Sequence, residues 1–587
     1  MRRCIAANAV AVAILLGGPA VPEGAAEPPT DSEVRRLVAR AAKRPSVHAD
    51  RASIDEALEK AGVSPATVAR LWHAVDAAVL PGGGGRLEEF LLLTREPEWL
   101  ALRDEFAEFL SLHGIERIEK KTVARIRRHP GVHSFPDVRE LDVASAKRLR
   151  GEQDDAWRAA VELPAVRSLT PAAADAVAKC PTILMLPALT DLSAETAAAL
   201  ARHEGAGLVL GGLRRLEPAA AEALAAYPPL QDLLLPDLES LDSIPLAKRL
   251  AAQDVVFLPR VSRLSTDVAA ALQGEAGGML VLAGLVELPE RIASELAEAG
   301  FHGITLDGGV LAAATARALA PHPGPLVLTG THGVSVAVAT ALDSHASDLV
   351  LQHVTRLPAA VAAALPGSDH LLALPAVREL DAAAAAELAV TGPLSLPSLH
   401  VLDEEAAMAL ADHPHLLQLD GLRGLAPAVA RALGRHRGDL MLGGLETIDA
   451  ATAAGLASCP GQLHLDSVTR IDRAAAATLL QRRQPLWISG LQGVEQLDSP
   501  ELARLIAARI DDPSLPFVTA IDGPDAAGIA AALAESRGEL MLPALKRITV
   551  RALSALLRKR EIDMPAVGEL TVVADPGGGA DDFVDPR

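Results

Sequence analysis

The chain has 587 residues and carries 75 acidic against 55 basic side chains, a formal net charge of −20 at pH 7. That balance argues against nucleic acid as a partner, because phosphate recognition needs a basic face. Half of the residues are hydrophobic but only 2% are aromatic, so the core must be built from small aliphatic side chains.

Residues 1–26 run from Met-Arg-Arg through an apolar stretch, Ile5 to Leu16, to small residues at Ala20 and Gly24-Ala25-Ala26. Basic, then apolar, then small is the order of a secretory signal peptide. Asn8, Gly17, Gly18 and Pro19 interrupt the stretch, which favours cleavage over a retained anchor. The expectation is an exported protein of the periplasm, envelope or exterior, with no stable membrane span after cleavage.

Residues 27–110 do not repeat. Ser64-Pro65 opens an amphipathic helix with Val68, Leu71, Ala74, Val75 and Val79 on one face. Glu98 to Leu112 reads as another helix, and Pro81 to Gly85 as a flexible break between them. A small helical cap over the first coil of a repeat array is the economical reading.

From residue 111 to 573 a motif returns about every 23 residues, as in LMLPALTDLSAETAAALARHEG from Leu184 and LMLGGLETIDAATAAGLASCPG from Leu440. Counting the second leucine of each L-x-L, or its substitute, as an anchor gives twenty copies, from Leu112 and Phe135 to Leu542 and Met564. L-x-L suits a short strand with its leucines on one side. Pro or Gly after the anchor (Pro187, Gly211, Pro236, Gly443) ends the strand. Apolar residues three and six places on, such as Leu189 and Leu192, turn the chain inward. Thr170, Ser193, Ser265, Asp381, Asp403, Asp449 and Asp472, each seven past an anchor, read as helix N-caps, with Pro171 at the first helical position. An alanine-rich helix of about ten residues follows, with Ala at eleven and Leu at fourteen past the anchor, closed by Gly or Pro. Longer intervals before Leu163, Leu515 and Leu542 read as loop insertions. Residues 574–587, polar and glycine-rich, read as a disordered tail.

Strand, corner, helix and return over this period resemble the leucine-rich repeat family across roughly residues 110–570. The resemblance implies an exported bacterial α/β solenoid of about 20 strand–helix coils, with a parallel sheet on one face. It also implies binding in place of catalysis. One departure is plain. The family places Asn or Cys after the strand to satisfy backbone groups between coils, whereas the only Asn here is Asn8.

No pattern assembles a nucleophile, a base and an orienting group, and Gly82 to Gly85 lacks the Lys-Ser/Thr of a phosphate loop. No enzyme activity, cofactor or metal is expected. His413-Pro-His415 reads as structural, because His413 shares a slot six before an anchor with His129, His322 and His436, at a helix C-terminus. Cys180 and Cys459 share that slot twelve coils apart, about 55–60 Å at the strand spacing, and read as small apolar fillers.

The residue before each anchor should point outward, and from Met185 to Val281 these are mostly apolar. Two stretches break the pattern. Thr305, Asp307, Thr329, His332, Gln352 and His353 form a polar cluster in the middle, a ligand groove or a kink with repeat decay. Gln418, Asp420, His464, Asp466, Trp487 and Ser489 form another, and Phe257 and Trp487 are the aromatic residues standing just before an anchor. The binding candidates are therefore Phe257, Thr305, Asp307, Thr329, His332, Gln352, His353, Gln418, His464 and Trp487. The expected function is a non-enzymatic scaffold whose sheet face docks a protein or a cell-envelope polymer. The alternative is a structural envelope protein assembling through its repeats. Partner identity, curvature and oligomeric state are not legible.

Overall fold

The computed structural model describes residues 109–111, 115–120, 132–149 and 160–576, apart from 230, 275–277, 286, 308, 310, 331, 332 and 368. The expected leader and most of the helical cap and of the tail lie outside the described residues. Where the expected helix Glu98 to Leu112 reaches described residues it is corrected, because Phe109–Ser111 is a strand paired with Val132–Ser134. No described helix is long and apolar enough to cross a membrane. The chain divides into two compact units, Met1–Thr331 and His332–Arg587.

Both units are stacks of strand–helix coils with their strands parallel. In the first unit, Phe109–Ser111, Val132–Ser134, Ala160–Glu162, Ile183–Met185, Gly207–Val209 and Asp232–Leu234 pair in chain order. Val255–Phe257, Met279–Leu282, Gly303–Asp307 and Leu326–Thr329 form a second parallel run. The ladder is interrupted between these runs by one side chain. The Gln253 amide takes up both the N–H and the carbonyl of Leu233, at 3.0 and 3.1 Å. In the second unit, parallel pairing in chain order joins Leu349–Leu351, Leu372–Ala373, Leu394–Ser395, Leu417–Gln418, Leu440–Met441, Leu463–His464 and Leu486–Trp487. Register keeps equivalent positions opposite one another, as Leu394↔Leu417 and Leu417↔Leu440 show.

One coil shows how the motif builds the fold. Leu184 and Leu186 are fully buried. The Leu186 N–H extends the ladder by donating to Val209 O at 2.8 Å, and its carbonyl accepts from the N–H of Leu189 at 3.3 Å. That bond closes a turn in which Pro187 occupies the position where a fixed φ helps most. Leu189 is buried beneath it, and Ser193 accepts from Thr196 N to start the helix Ala194–Leu200. Ala197 and Leu200, eleven and fourteen past the anchor, are fully buried against the sheet. An alanine there lets helix and sheet approach closely, which explains how a core so poor in aromatics fills its volume.

All seven expected N-cap residues cap a helix by the expected bond. Ser243, Ser335, Ser499 and Thr549 do the same at four further helices. Three expectations need correction. The helices are mostly seven residues long, not ten, as at Ala382–Leu388 and Ala450–Leu456. Most also do not close on a left-handed glycine, Gly300 (φ +74°) after Glu290–Ala297 being an exception. The residue six before the next anchor donates its N–H back three residues, Cys180 to Val177 O and His436 to Leu433 O, both at 2.9 Å. This tight exit keeps right-handed backbone and needs no Gly. Finally, the residues added before Leu515 and Leu542 go largely into longer helices, Pro500–Arg509 and Ala526–Ala534.

The same slot, six before most anchors, does the work that Asn does in the family. His413 Nε2 bonds Gly392 O at 2.7 Å, and His436 Nε2 bonds His415 O at 3.0 Å. Arg482 donates to Leu456, Ala457, Cys459 and Gly461 carbonyls, and Arg509 to Arg482 O at 2.5 Å. His203, one residue further from its anchor, spans Ala178 O and Thr182 O at 3.2 and 3.0 Å. The cysteines belong to this column too. Cys180 Sγ donates to Leu149 O at 3.3 Å and Cys459 Sγ to His436 O at 3.4 Å, so they are weak donors and not merely apolar fillers. Carbonyls freed at these helix exits are thus satisfied by the following coil.

Candidate functional site

Strand alternation sends the residues three and one before each anchor, and the one after it, to the outer side of the sheet. Their exposure is uneven. Glu162, Val281, Thr305, Val327, Ser395 and Gln418 are buried despite facing outward, Phe257 and His464 are half-buried, and Trp487 is 54% exposed.

The mid-chain candidates fall in both units. In the first, Thr305 is fully buried, and Thr329 is buried with its hydroxyl donating to Leu306 O at 3.2 Å. Asp307 is half-buried and accepts from Gly309 N at 2.9 Å. The residue after its register partner Thr329 has to be glycine: Gly330 has φ +69°, and a Cβ there would stand 2.0 Å from Asp307 Oδ1. In the second unit, Gln352 is buried and His353 half-buried. His332 lies outside the described residues.

The second stripe lies wholly within the second unit and comes together. Gln418, Met441, His464 and Trp487 stand opposite one another in register. At one end the polar groups satisfy each other. Ser395 Oγ donates to Gln418 Oε1 at 2.8 Å, Gln418 Nε2 to Asp420 Oδ2 at 2.5 Å, and Gly443 N to Asp420 Oδ1 at 2.7 Å. At the other end the aromatic groups stand open. The His464 and Trp487 rings are 5.8 Å apart and 11° from parallel. The indole Nε1 donates to Gln462 Oε1 at 3.3 Å, and Gln462 is itself held by Asp439, which accepts its backbone N–H at 2.9 Å. On the other flank Ser489 Oγ donates to Asp466 Oδ1 at 2.8 Å, with His464 Nδ1 3.8 Å from Asp466 Oδ2. Among the described strands, Leu486–Trp487 is the last of its sheet. One indole face therefore packs on His464, and the opposite face has no paired strand beside it.

Gln462 and Asp439 were missed at the sequence level. The signal was present: both sit three before an anchor, on the same face as the aromatic residues. Extending that column shows a bias. In the second unit the positions three before, one before and one after each anchor hold Asp348, Asp420, Asp439, Asp466, Asp512, Glu539, Glu561 and Asp563, and no Lys or Arg. Part of this is structural. Asp348, Asp439 and Asp512 each accept the backbone N–H of the next coil at 2.7–2.9 Å.

Among the described residues no group of three His, Cys, Asp or Glu is placed to hold a metal ion. His413 and His415 face each other edge-on at 5.9 Å, but both His413 nitrogens face main-chain carbonyls, His415 O and Gly392 O, and the neutral ring donates to one of them at a time.

No family model matches the sequence, and no curated protein matches it. Among solved structures, an internalin from Listeria monocytogenes shares 12% identity over 58% of this chain and 88% of its own, with a TM-score of 0.28. The Drosophila Toll–Spätzle complex shares 14% over 78% of this chain and 57% of the matched chain, with a TM-score of 0.29. Similarity at that level says nothing about what this chain binds.

Proposed function

We propose that this chain is an exported, non-enzymatic binding scaffold that recognises a protein or an envelope polymer through the outward face of its sheet. The observation that carries this reading is Trp487, 54% exposed on that face in a chain with only four tryptophans. Indole exposed beside organised polar groups is the composition of an interface anchor, and truncating such an anchor typically costs about 2 kcal/mol or more of binding. Solubility alone does not call for it.

The test uses the purified chain as bait against the organism's exported fraction, then compares partner affinity and thermal midpoint for wild type, Trp487→Ala and Phe257→Ala. The expected result is lost affinity with an unchanged midpoint for Trp487→Ala. Unchanged affinity in both variants removes the sheet face as the site, and a large fall in midpoint means that the side chain serves packing.

A further inference from the structure

The ligand chemistry at Trp487 follows from its surroundings, and this step rests on the binding-scaffold reading above. Trp487 offers one aromatic face backed on the other side by His464. Among its polar neighbours, Gln462 Nε2 donates to Asp439 and Ser489 Oγ to Asp466, and Asp466 itself is a carboxylate that can only accept. What they present outward is acceptor oxygen. Asp466 is 44% exposed at its side chain, and no Lys or Arg occupies an outward sheet position of this unit. A flat π surface beside an exposed carboxylate, on a face without cations, matches one side chain above others. Guanidinium is planar, always charged and weakly hydrated, so it stacks on indole and pairs with carboxylates in a fork. Lysine gives the charge without the plane.

We infer that the Trp487 face binds an extended, arginine-bearing segment of a protein partner that runs across the coils, with one guanidinium stacked on the open side of the indole and a second cationic side chain of the segment paired with Asp466, one coil back. Trp487 supplies the stacking surface and His464 holds it in place. Ser489, by donating to Asp466 Oδ1, keeps the carboxylate oriented toward the ligand. A neutral glycan would use the same indole but has no use for the carboxylate's charge.

The experiment is calorimetric titration of the full chain with hexa-arginine, hexa-lysine and a neutral β-glucan hexasaccharide, in low and high salt. Hexa-arginine should bind, several-fold tighter than hexa-lysine, and weaken as salt rises. Trp487→Ala should weaken hexa-arginine by roughly tenfold or more, Asp466→Asn should weaken it too, and Trp487→Phe should restore part of the loss. Trp487 is half open to solvent, so these variants should keep the wild-type midpoint, which the same samples report. Three results overturn the proposal: no binding of hexa-arginine, binding indifferent to both Trp487→Ala and Asp466→Asn (attraction to net charge alone), or glucan binding that depends on Trp487 in place of peptide binding. If partner capture still depends on Trp487 while hexa-arginine fails to bind, only the arginine assignment falls. Capture independent of both Trp487 and Phe257 removes the broader reading.

Discussion

His413 and His436 occupy the same slot of consecutive coils with their rings 5.8 Å apart and 15° from parallel. Each bonds a main-chain carbonyl of the coil before it. Burial pushes both pKa values down, and in His436 the neighbouring His413 adds to that. His203 is lowered in the same way, chiefly by burial. These imidazoles are therefore held neutral, and burial outweighs the attraction of a helix C-terminus for imidazolium.

A pH dependence follows from that pair. Unfolded histidine takes up a proton near its ordinary value of 6.5, but these folded sites do so only at lower pH. The unfolded state binds more protons in that window, so their stabilisation is complete above pH 6.5 and is lost as pH falls below it. The carboxylates whose pKa is lowered, such as Asp175 and Asp449, act only below their ordinary 3.8. Thermal midpoints between pH 7.5 and 5.5 should fall, and His413→Gln/His436→Gln should flatten that fall. An equal slope in both proteins would mean that the histidines are not responsible.

Asp472 has two bonding tasks. It caps its own helix through Ala475 N at 2.7 Å and accepts from Ala450 N of the preceding coil at 2.9 Å. Asp381 caps only its own helix, through Ala384 N at 2.7 Å. Asp381→Ala should cost about 1 kcal/mol in urea unfolding, the usual loss of a cap, and Asp472→Ala measurably more.

Glycine at the coil return permits close stacking. A Cβ on Gly438 would stand 2.0 Å from His415 O, whereas one on Gly424 would meet nothing within 4 Å. Gly438→Ala must push two coils apart and should cost roughly 1–3 kcal/mol. Gly424→Ala should leave the midpoint within a degree or so of wild type.

Two arginines should separate buried from exposed bonding. Arg482 is 5% exposed and serves four carbonyls. Arg482→Leu strands them and should cost on the order of 3 kcal/mol. Arg473 pairs with Glu501 and Asp525 at 2.9 and 3.1 Å, but its side chain is 59% exposed. Arg473→Ala should cost less than about 1 kcal/mol and less still in high salt.

The coil was readable because its determinants are local and repeated. Leu184, Leu186, Ala197 and Leu200 mark the core by spacing alone, and Ser193 or Asp449 marks a cap by its oxygen and position. What joins one coil to the next was harder to read, because it depends on side chains about 23 residues apart finding the same carbonyl. Arg482 and Cys459 in one column look unrelated in composition, yet both donate to the coil behind. Exposure on the sheet face was least legible. Thr305 and Trp487 hold the same register position, and only the three-dimensional surroundings bury one and bare the other.

The long sheet of the second unit ends at Trp487, and parallel pairing resumes only in separate short sheets, such as Leu540–Met541 with Ile562–Asp563, while the helices Arg473–Leu480 and Pro500–Arg509 pack side by side across the gap. At that one junction the coils are joined through their helices without a strand pair, like pages held at the spine. In a linear array each junction couples the melting of its neighbours, so a junction lacking strand pairing is where cooperativity divides. The closing coils, from Leu515 onward, form the part of this unit able to open while the rest stays shut. A ligand on the indole at that seam would register the opening directly.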